Sequence, residues 1–421
     1  MRTSIRLLQL VHGYPPAIGG VELSTRDLCE ALVAEYGLDV TVFTTNAFTV
    51  ANFVDAALPT IPIDPDEEQN GVRIRRFPVV TRWAAMLRQL QRAAGALKLP
   101  GNDRLRTWYQ GPIAPEMLRA VRESDADVVC AASFPLNHMT YPFRRRVSRS
   151  PIVLVPAVHT TNTWGYSRPH LFRLAARSYA TVAHTEHERE WLIARGVPAD
   201  RVRVIGHGIE LSDFHAEPGR FRARRGIPSD AFVVAYVGQQ GGHKGIDTLM
   251  RVLPGLLEQR ADSWLVVAGA RTAYSAELRR IAGALPEPAR SRVVLIDDVT
   301  SGERAEVLTD CDVFASPSEQ ESFGITTLEA WSQAKPVVVG DGPAQACVVE
   351  AGASGLLVPH GNEQRLLESL SQLASDGVLR EWLGEAGRRR LHERHLHSSI
   401  VAQYHSLFVE AATRSGDWRS S

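Results

Sequence analysis

Two doubly wound α/β domains in tandem are what this sequence predicts, and three observations carry the prediction. Short β-branched runs alternate with helix-spaced stretches along almost the whole chain. Several runs, Val337-Val338-Val339 among them, are apolar on both sides, as parallel strands covered by helices are. The alternation pauses once, at 209–230, and a chain of 421 residues is long for one core. Strands that alternate with helices wind into right-handed βαβ units, which makes the class α/β.

In the first half, strands are expected at Ile5–Val11, Val40–Thr45, Val72–Phe77, Asp127–Ala131, Ile152–Val158, Thr181–His184 and Val202–Ile205. The second half gives Phe232–Val237, Trp264–Ala268, Val293–Ile296, Val313–Ala315, Val337–Val339 and Leu356–Val358. The pause between them, IELSDFHAEPGRFRARRGIPSD, is charged, broken by Pro218, Gly219 and Pro228, and lacks apolar periodicity. It reads as the crossing between domains. The expected domains are therefore 1–209, 210–395 and a terminal helix over 396–421, whose Tyr404, Leu407 and Phe408 can dock it back on the first domain. Ligands of open α/β sheets sit at the carboxyl ends of the strands, so the loops there are the places to search.

Composition narrows the function classes. A formal net charge of zero argues against bulk nucleic-acid binding, and 44% hydrophobic with 22% charged residues is ordinary for a globular protein. Basic charge is nearly all arginine; Lys98, Lys244 and Lys335 are the lysines, so one inside a glycine-rich loop stands out. Cys29, Cys130, Cys311 and Cys347 are far apart with no CxxC pair, which suits free thiols in a reducing compartment. No signal-like segment or spanning run of ~18–20 apolar residues is visible, so a cytoplasmic protein is expected.

Three loops could carry chemistry. GYPPAIGGVE (13–22) places three glycines and two prolines between the first strand and the helical spacing of Leu23, Leu28, Ala31 and Leu32. Glycine lets a backbone N–H approach a ligand, and the helix start adds partial positive charge, so an anion is the expected guest. GQQGGHKG (238–245) follows a strand, with three glycines before Lys244 and helical spacing from Ile246. It reads as a phosphate cradle with Lys244 as a point charge, or as a plain strand–helix turn. It is neither GxxxxGK[ST] nor GxGxxG at the first strand, which disfavours Walker-type hydrolysis and standard dinucleotide binding.

The strongest signal is SPSEQESFGITTLEA (316–330). Glu321 and Glu329 are eight positions apart, which on one continuous helix means roughly 80° of rotation and about 12 Å of rise. Ser322-Phe323-Gly324 reads instead as a helix entry, leaving Glu321 in the loop and Glu329 inside the helix. The amides of Phe323, Gly324 and Ile325 would then face an anion. Carboxylates flanking a phosphate site suit a ligand with hydroxyls on both sides of its phosphates, as in a nucleotide sugar; the alternative is a solvated helix with ordinary surface glutamates.

Taken together, these motifs resemble glycosyltransferase family 4, the retaining transferases of GT-B fold, in which two Rossmann-like domains face each other across a cleft. The resemblance covers nearly the whole chain: GGVE (19–22), the strand-end His159, VIGHGIELSDF (204–214), VGQQGGHKGID (237–247), SPSEQESFGITTLEA and DGPAQACVVEAGASGLLVPHGN (341–362). It implies an acceptor-binding first domain and a nucleotide-sugar-binding second one. Gly19 and Gly20 would face the donor's phosphate and sugar, and His159 the transferred sugar. Lys244 would neutralise the leaving diphosphate. Glu321 would hold sugar hydroxyls with the Phe323–Ile325 backbone, Glu329 the ribose, and the Val299 backbone the base. Gln239 stands where the family usually has arginine, His207 where asparagine is common, and Asp297 where glycine is common. A neutral amide at 239 can bond phosphate but cannot balance charge.

The implied donor is a UDP- or GDP-sugar, with no cofactor, and the acceptor a glycan, lipid-linked or small-molecule hydroxyl. No DxD-like cluster follows a strand, so metal independence is expected. No carboxylate pair suits double displacement, which needs ~5 Å spacing across the sugar; a same-face route is expected instead. The rivals are a sugar-nucleotide epimerase and a non-catalytic nucleotide- or glycan-binding protein, which Gln239 would suit. AHTEHERE (183–190) reads as a Thr185/Glu188 capping box rather than metal ligands, and His392, His395 and His397 as a solvated helix end. Residues 73–106 hold nine basic residues and one acid, Asp103, with Trp83, Met86, Leu87, Leu90, Ala94 and Leu97 near one helical face. That segment could cover the sheet or make peripheral contact with the inner face of the membrane.

Overall fold

The computed structural model describes residues 4–17, 19–144 and 150–414. The chain divides into one unit of Met1–Ile205 with Val401–Ser421 and a second of Gly206–Ile400. The first unit holds strands β1 (Arg6–Leu10), β2 (Asp39–Thr45), β3 (Glu68–Gln69), β4 (Val72–Phe77), β5 (Val128–Ala132), β6 (Ile152–Val155), β7 (Ala180–Ala183) and β8 (Val202–Val204). They lie in the order β3-β4-β2-β1-β5-β6-β7-β8, parallel except for the short β3–β4 pair. The second unit holds β9 (Phe232–Val237), β10 (Ser263–Gly269), β11 (Val293–Asp297), β12 (Val313–Ser316), β13 (Val337–Gly340) and β14 (Leu356–Val358), all parallel, in the order β11-β10-β9-β12-β13-β14. Each unit is a Rossmann-like doubly wound sheet. Every expected strand is present with slightly moved ends, and only β3, whose Glu68-Gln69 carries no apolar pattern, was not foreseen.

The double-sided apolar runs explain the layers. Along β9, Val233, Ala235 and Val237 enter one core while Phe232, Val234 and Tyr236 enter the other. Val234 is paired with Leu265 on one side and Val313 on the other. Burying such a Val or Phe is worth about 1.5–3 kcal/mol, so both faces of the strand oppose exposure.

In each sheet the winding reverses beside one strand: between β1 and β5 in the first, and between β9 and β12 in the second. The loops leaving the two strands at such a point head in opposite directions and open a crevice at their carboxyl ends. This topology selects four loops, those after β1, β5, β9 and β12; the sequence singles out three of them, after β1, β9 and β12.

One expectation about the connections needs correction. The charged stretch 209–230 is not a free crossing, because the units change over at Ile205–Gly206 and Phe214 and Phe221 are buried in the second core. The stretch is charged and lacks apolar periodicity in sequence, but partners of its Gly219 and Arg222 lie far along the chain. The Asp310 carboxylate accepts from the Gly219 and Arg222 amides at 2.6 and 3.0 Å, and Arg222 pairs with Asp312 at 2.9 Å. The last helix, His397–Thr413, begins in the second unit, and from Val401 it groups with the first, where His405 stacks on Tyr36 at 4.1 Å. Residues 415–421 of the expected tail lie outside the described residues.

The helix Ala84–Ala96 within the basic segment buries Ala84, Leu87 and Ala94. The other half of its apolar stripe stays uncovered: Met86 and Leu90 are 48% and 49% exposed, and the flanking Trp83 and Leu97 are 43% and 70% exposed. Among the described residues no helix is long and apolar enough to cross a membrane.

Candidate functional site

In the second unit, β9 runs into Gly238–Gly241, a short turn Gly242–Lys244, and the helix Ile246–Gln259. β12 runs into Pro317–Gly324 and the helix Ile325–Ser332. Because these strands flank the reversal point, the two loops meet. Lys244 Nζ donates to Glu321 Oε1 at 2.6 Å, both side chains being largely buried, and the Glu319 amide donates to His243 O at 2.9 Å. Two glycines are required here. Gly245 has φ +70°, and a Cβ on it would stand 2.4 Å from the Pro317 carbonyl oxygen. Gly324 has φ +90°, and its Cβ would meet Gln345 Oε1 at 2.6 Å. Both positions are left-handed and closed to other residues.

The helix entry has the expected shape. Glu321 lies in the loop, the first helical turn closes with Thr327 N–H to Gly324 O at 2.9 Å, and Glu329 sits inside the helix. The amides of Phe323, Gly324 and Ile325 precede that bond, where a helix start leaves donors for an anion. The Phe323 ring is held edge-on between His207 at 5.1 Å and His395 at 5.5 Å, which locks the entry in place. His395 is thus buried rather than part of a solvated helix end: its Nδ1 donates to His207 O at 3.1 Å, and burial holds its pKa down to about 4. Of the three histidines in that group, His392 is exposed and His397 half-buried.

Glu329 is 4% exposed. Its Oε1 is 3.2 Å from an Arg304 nitrogen, while Oε2 is buried without a partner. Burial pushes its carboxyl above the ordinary value, against the charge of Arg304. A buried carboxylate oxygen with no donor is costly unless a ligand supplies one, and paired ribose hydroxyls are such donors. Arg304 and Gln345 escaped sequence reasoning, since an arginine in ERAE and a glutamine in PAQA carry no local signal.

The neighbouring glutamines divide the work. Gln239 is exposed and offers its carbonyl to Tyr236 Oη at 2.8 Å. Gln240 is buried, and its amide donates to Asp297 Oδ1 at 3.0 Å and Ile296 O at 3.3 Å. Asp297, where glycine is common, therefore anchors the cradle. Val299 lies half-buried in the otherwise exposed loop between β11 and the helix Ser301–Asp310.

In the first unit, the loop after β1 is fixed from beneath. The buried Arg76 guanidinium donates to Tyr14 O at 3.2 Å and Pro15 O at 2.5 Å while pairing with Glu67 at 2.7 Å. Glu22 Oε1 folds back to 3.0 Å from His12 Nε2. Burial raises the Glu22 carboxyl, but the His12 hydrogen bond and charge outweigh it and leave it below its ordinary value. That return needs Gly19, whose Cβ would sit 2.3 Å from Glu22 Oε2. A Cβ on Gly20 would meet nothing within 4 Å among the described residues, so packing does not demand this glycine. Residue 18 lies outside the described residues.

His159 follows β6, with its ring 5.4 Å from Tyr166. The residue before it is held by Glu188, whose carboxylate accepts the Val158 amide at 3.0 Å and the His184 amide at 2.7 Å. This corrects the capping-box reading. Thr185 Oγ1 does accept the Glu188 amide, at 3.1 Å, but the carboxylate ties together the loops that follow β6 and β7 instead of returning to Thr185.

With this geometry in view, the comparisons with known proteins are specific. Residues 19–208 match the family described as glycosyl transferase 4-like domain, and residues 219–390 match glycosyl transferases group 1. A D-inositol 3-phosphate glycosyltransferase of Kineococcus radiotolerans is 33% identical over 228 residues, 50% of this chain and 52% of that protein. A phosphatidyl-myo-inositol mannosyltransferase of Mycobacterium leprae is 29% identical over 64% of this chain and 69% of that protein. The chain thus spans about half the length of the first of these relatives. Anabaena HepE, solved in complex with UDP and glucose, superposes with a TM-score of 0.71 at 18% identity, covering 96% of this chain and 100% of that one. Sucrose-phosphate synthase from Thermosynechococcus elongatus gives 0.71 at 20% identity, covering 96% and 98%. At such identities the likeness speaks to the fold.

Proposed function

The chain belongs to the family 4 type of glycosyltransferase, a 4-like domain followed by a group 1 domain, and on that premise we propose that it moves a sugar from a nucleoside diphosphate to an acceptor hydroxyl with retention. The observation that carries the reading is the meeting of Lys244 with Glu321 beside a helix entry, with Glu329 Oε2 left for a ligand. The departing diphosphate develops negative charge, and a preorganised ammonium with helix-start amides stabilises it without rearrangement. In the free chain Glu321 holds the ammonium of Lys244 in place. On donor binding the ammonium, with two further N–H groups, turns toward the phosphates, and Glu321 is released to take sugar hydroxyls. With these groups supplying the charge, the step runs without a metal. Glu329 binds the ribose, the Val299 backbone the base, Gly20 admits the diphosphate, and His159 faces the transferred sugar.

A UDP- or GDP-sugar is the proposed donor, and a polyol or glycan hydroxyl, free or lipid-linked, the acceptor; relatives named for inositol phosphate and phosphatidylinositol transfer support that class. Peripheral contact with an anionic membrane, in the cytoplasm, is supported by the uncovered stripe of Trp83, Met86, Leu90 and Leu97 within a basic segment. Incubation with a panel of nucleotide sugars, with and without polyol acceptors, tests the reading. Release of nucleoside diphosphate supports it; tight donor binding with no turnover under any condition favours a binding protein instead.

A further inference from the structure

Among the described residues of the first unit, two adjoining guanidinium groups are withdrawn from water without an ion pair. Arg168 caps the helix Pro169–Ala175, and its side chain is fully buried. Its Nη2 donates to Gln110 Oε1 at 2.7 Å and its Nη1 to Trp164 O at 3.3 Å, both uncharged acceptors, and its Nε is buried with no acceptor. Arg106, on the helix Asn102–Gln110, is half-buried, with both Nε and Nη2 shielded from water and unpartnered. The two guanidinium groups lie against the same indole: Arg106 is 4.4 Å and Arg168 5.8 Å from the Trp164 ring. Trp164 itself is 62% exposed, so the cluster borders solvent.

Among the described residues neither arginine forms an ion pair. Asp103, whose charge acts on both arginines, is itself engaged by the His170 amide at 2.9 Å and by His170 Nδ1 at 2.7 Å. Burial first, and then the like charge of Arg106, bring the Arg168 pKa down to about 9 against the opposing charge of Asp103. Burial also lowers Arg106. Stacking on an indole is a weak return for desolvating two like charges side by side. Arginine's fork of N–H donors matches a phosphoryl group, which accepts two parallel bonds from each of two guanidiniums.

We infer that Arg106 and Arg168 form an oxyanion site, walled by Trp164, that takes a phosphomonoester group of the acceptor. The anion site stands on the cluster alone, whereas its assignment to the acceptor rests on the transferase reading. It deepens that reading by making the acceptor a phosphorylated molecule rather than a neutral glycan.

The test is calorimetric titration of the Lys244→Ala protein, in which phosphate binding at the 238–245 loop is suppressed. The probes are inorganic phosphate, glucose 6-phosphate and vesicles containing phosphatidic acid. A saturable phosphate site that weakens roughly tenfold or more on adding Arg106→Gln is expected, for the loss of one charge-assisted forked contact. Arg106 is partly exposed, so its replacement is the informative variant should Arg168→Gln fail to fold; an unchanged unfolding temperature certifies it. Arg106-dependent binding of glucose 6-phosphate assigns a soluble acceptor, and Arg106-dependent binding of vesicles a lipid one. Equal phosphate affinity with and without Arg106 overturns the site. Arg106-dependent phosphate binding with which neither phosphorylated probe competes overturns the acceptor assignment. A failure of every nucleotide sugar to turn over would sink the transferase reading and leave the anion site standing.

Discussion

Lys244 and Glu321 lie 77 positions apart in sequence and 2.6 Å apart in space. Nothing local brings them together; they meet because β9 and β12 are neighbours at the reversal of a parallel sheet, and each residue occupies the loop after its strand. The pair holds the Lys244 ammonium in the loop after β9, where the proposed function puts the leaving diphosphate.

Lys244→Ala should therefore lower kcat by about 10²–10³, the size of effect seen when one preorganised charge-stabilising donor is removed. The acceptor KM should stay within a few-fold. Steady-state kinetics with the preferred donor reads this, and an unchanged kcat would remove Lys244 from the leaving-group role.

Glu329→Gln should weaken donor binding roughly ten- to a hundredfold, the loss of charge-assisted hydrogen bonds worth about 1.5–3 kcal/mol. Stability should not follow. The Glu329 carboxyl is raised in the folded chain, so the folded state holds its proton to higher pH than the unfolded state does. Its contribution to stability is complete below the ordinary carboxyl pKa and is lost as pH rises through the raised value. Glu329→Gln lacks that loss, and without donor the difference in unfolding free energy between it and the parent should shift in the variant's favour as pH rises across that window. Denaturant melts at several pH values read it; parallel curves would contradict it.

The glycines separate fold from function. Gly245→Ala places a Cβ against the Pro317 carbonyl oxygen at positive φ and should cost about 1–3 kcal/mol of stability. Gly20→Ala meets no neighbour and should melt with the parent protein while losing donor turnover. A thermal melt with a donor assay on both variants checks this, and a destabilised but fully active Gly20→Ala would reverse the assignment.

These contrasts show where sequence reasoning reached. Strands with apolar residues on both faces, such as Phe232–Val237, are legible because burial on two sides leaves no polar alternation. The loops after them are legible because glycine and helix-start chemistry is local. Long-range partnership is not. Glu188 shows a capping pattern in sequence, yet it binds the Val158 amide. His395 sits in a polar helix end, yet its ring packs on Phe323. Arg222 looks like part of a linker, yet it is tied to Asp312. In each case a polar side chain takes a partner that only the folded sheet order supplies.

The half-covered helix Ala84–Ala96 predicts sedimentation with vesicles carrying anionic lipid and weaker sedimentation with neutral ones, falling as salt rises. Replacing Met86 and Leu90 by serine should reduce binding without unfolding the chain, since both are about half exposed. Equal behaviour on both lipid compositions would leave the stripe as an ordinary sheet cover.

The most direct measurement is calorimetric titration of UDP-, GDP- and ADP-sugars into the parent protein, Lys244→Ala and Glu329→Gln. One donor class should bind saturably to the parent and at least tenfold more weakly to both variants. Equal affinity for all three proteins would mean that the loops after β9 and β12 do not cradle a nucleotide sugar.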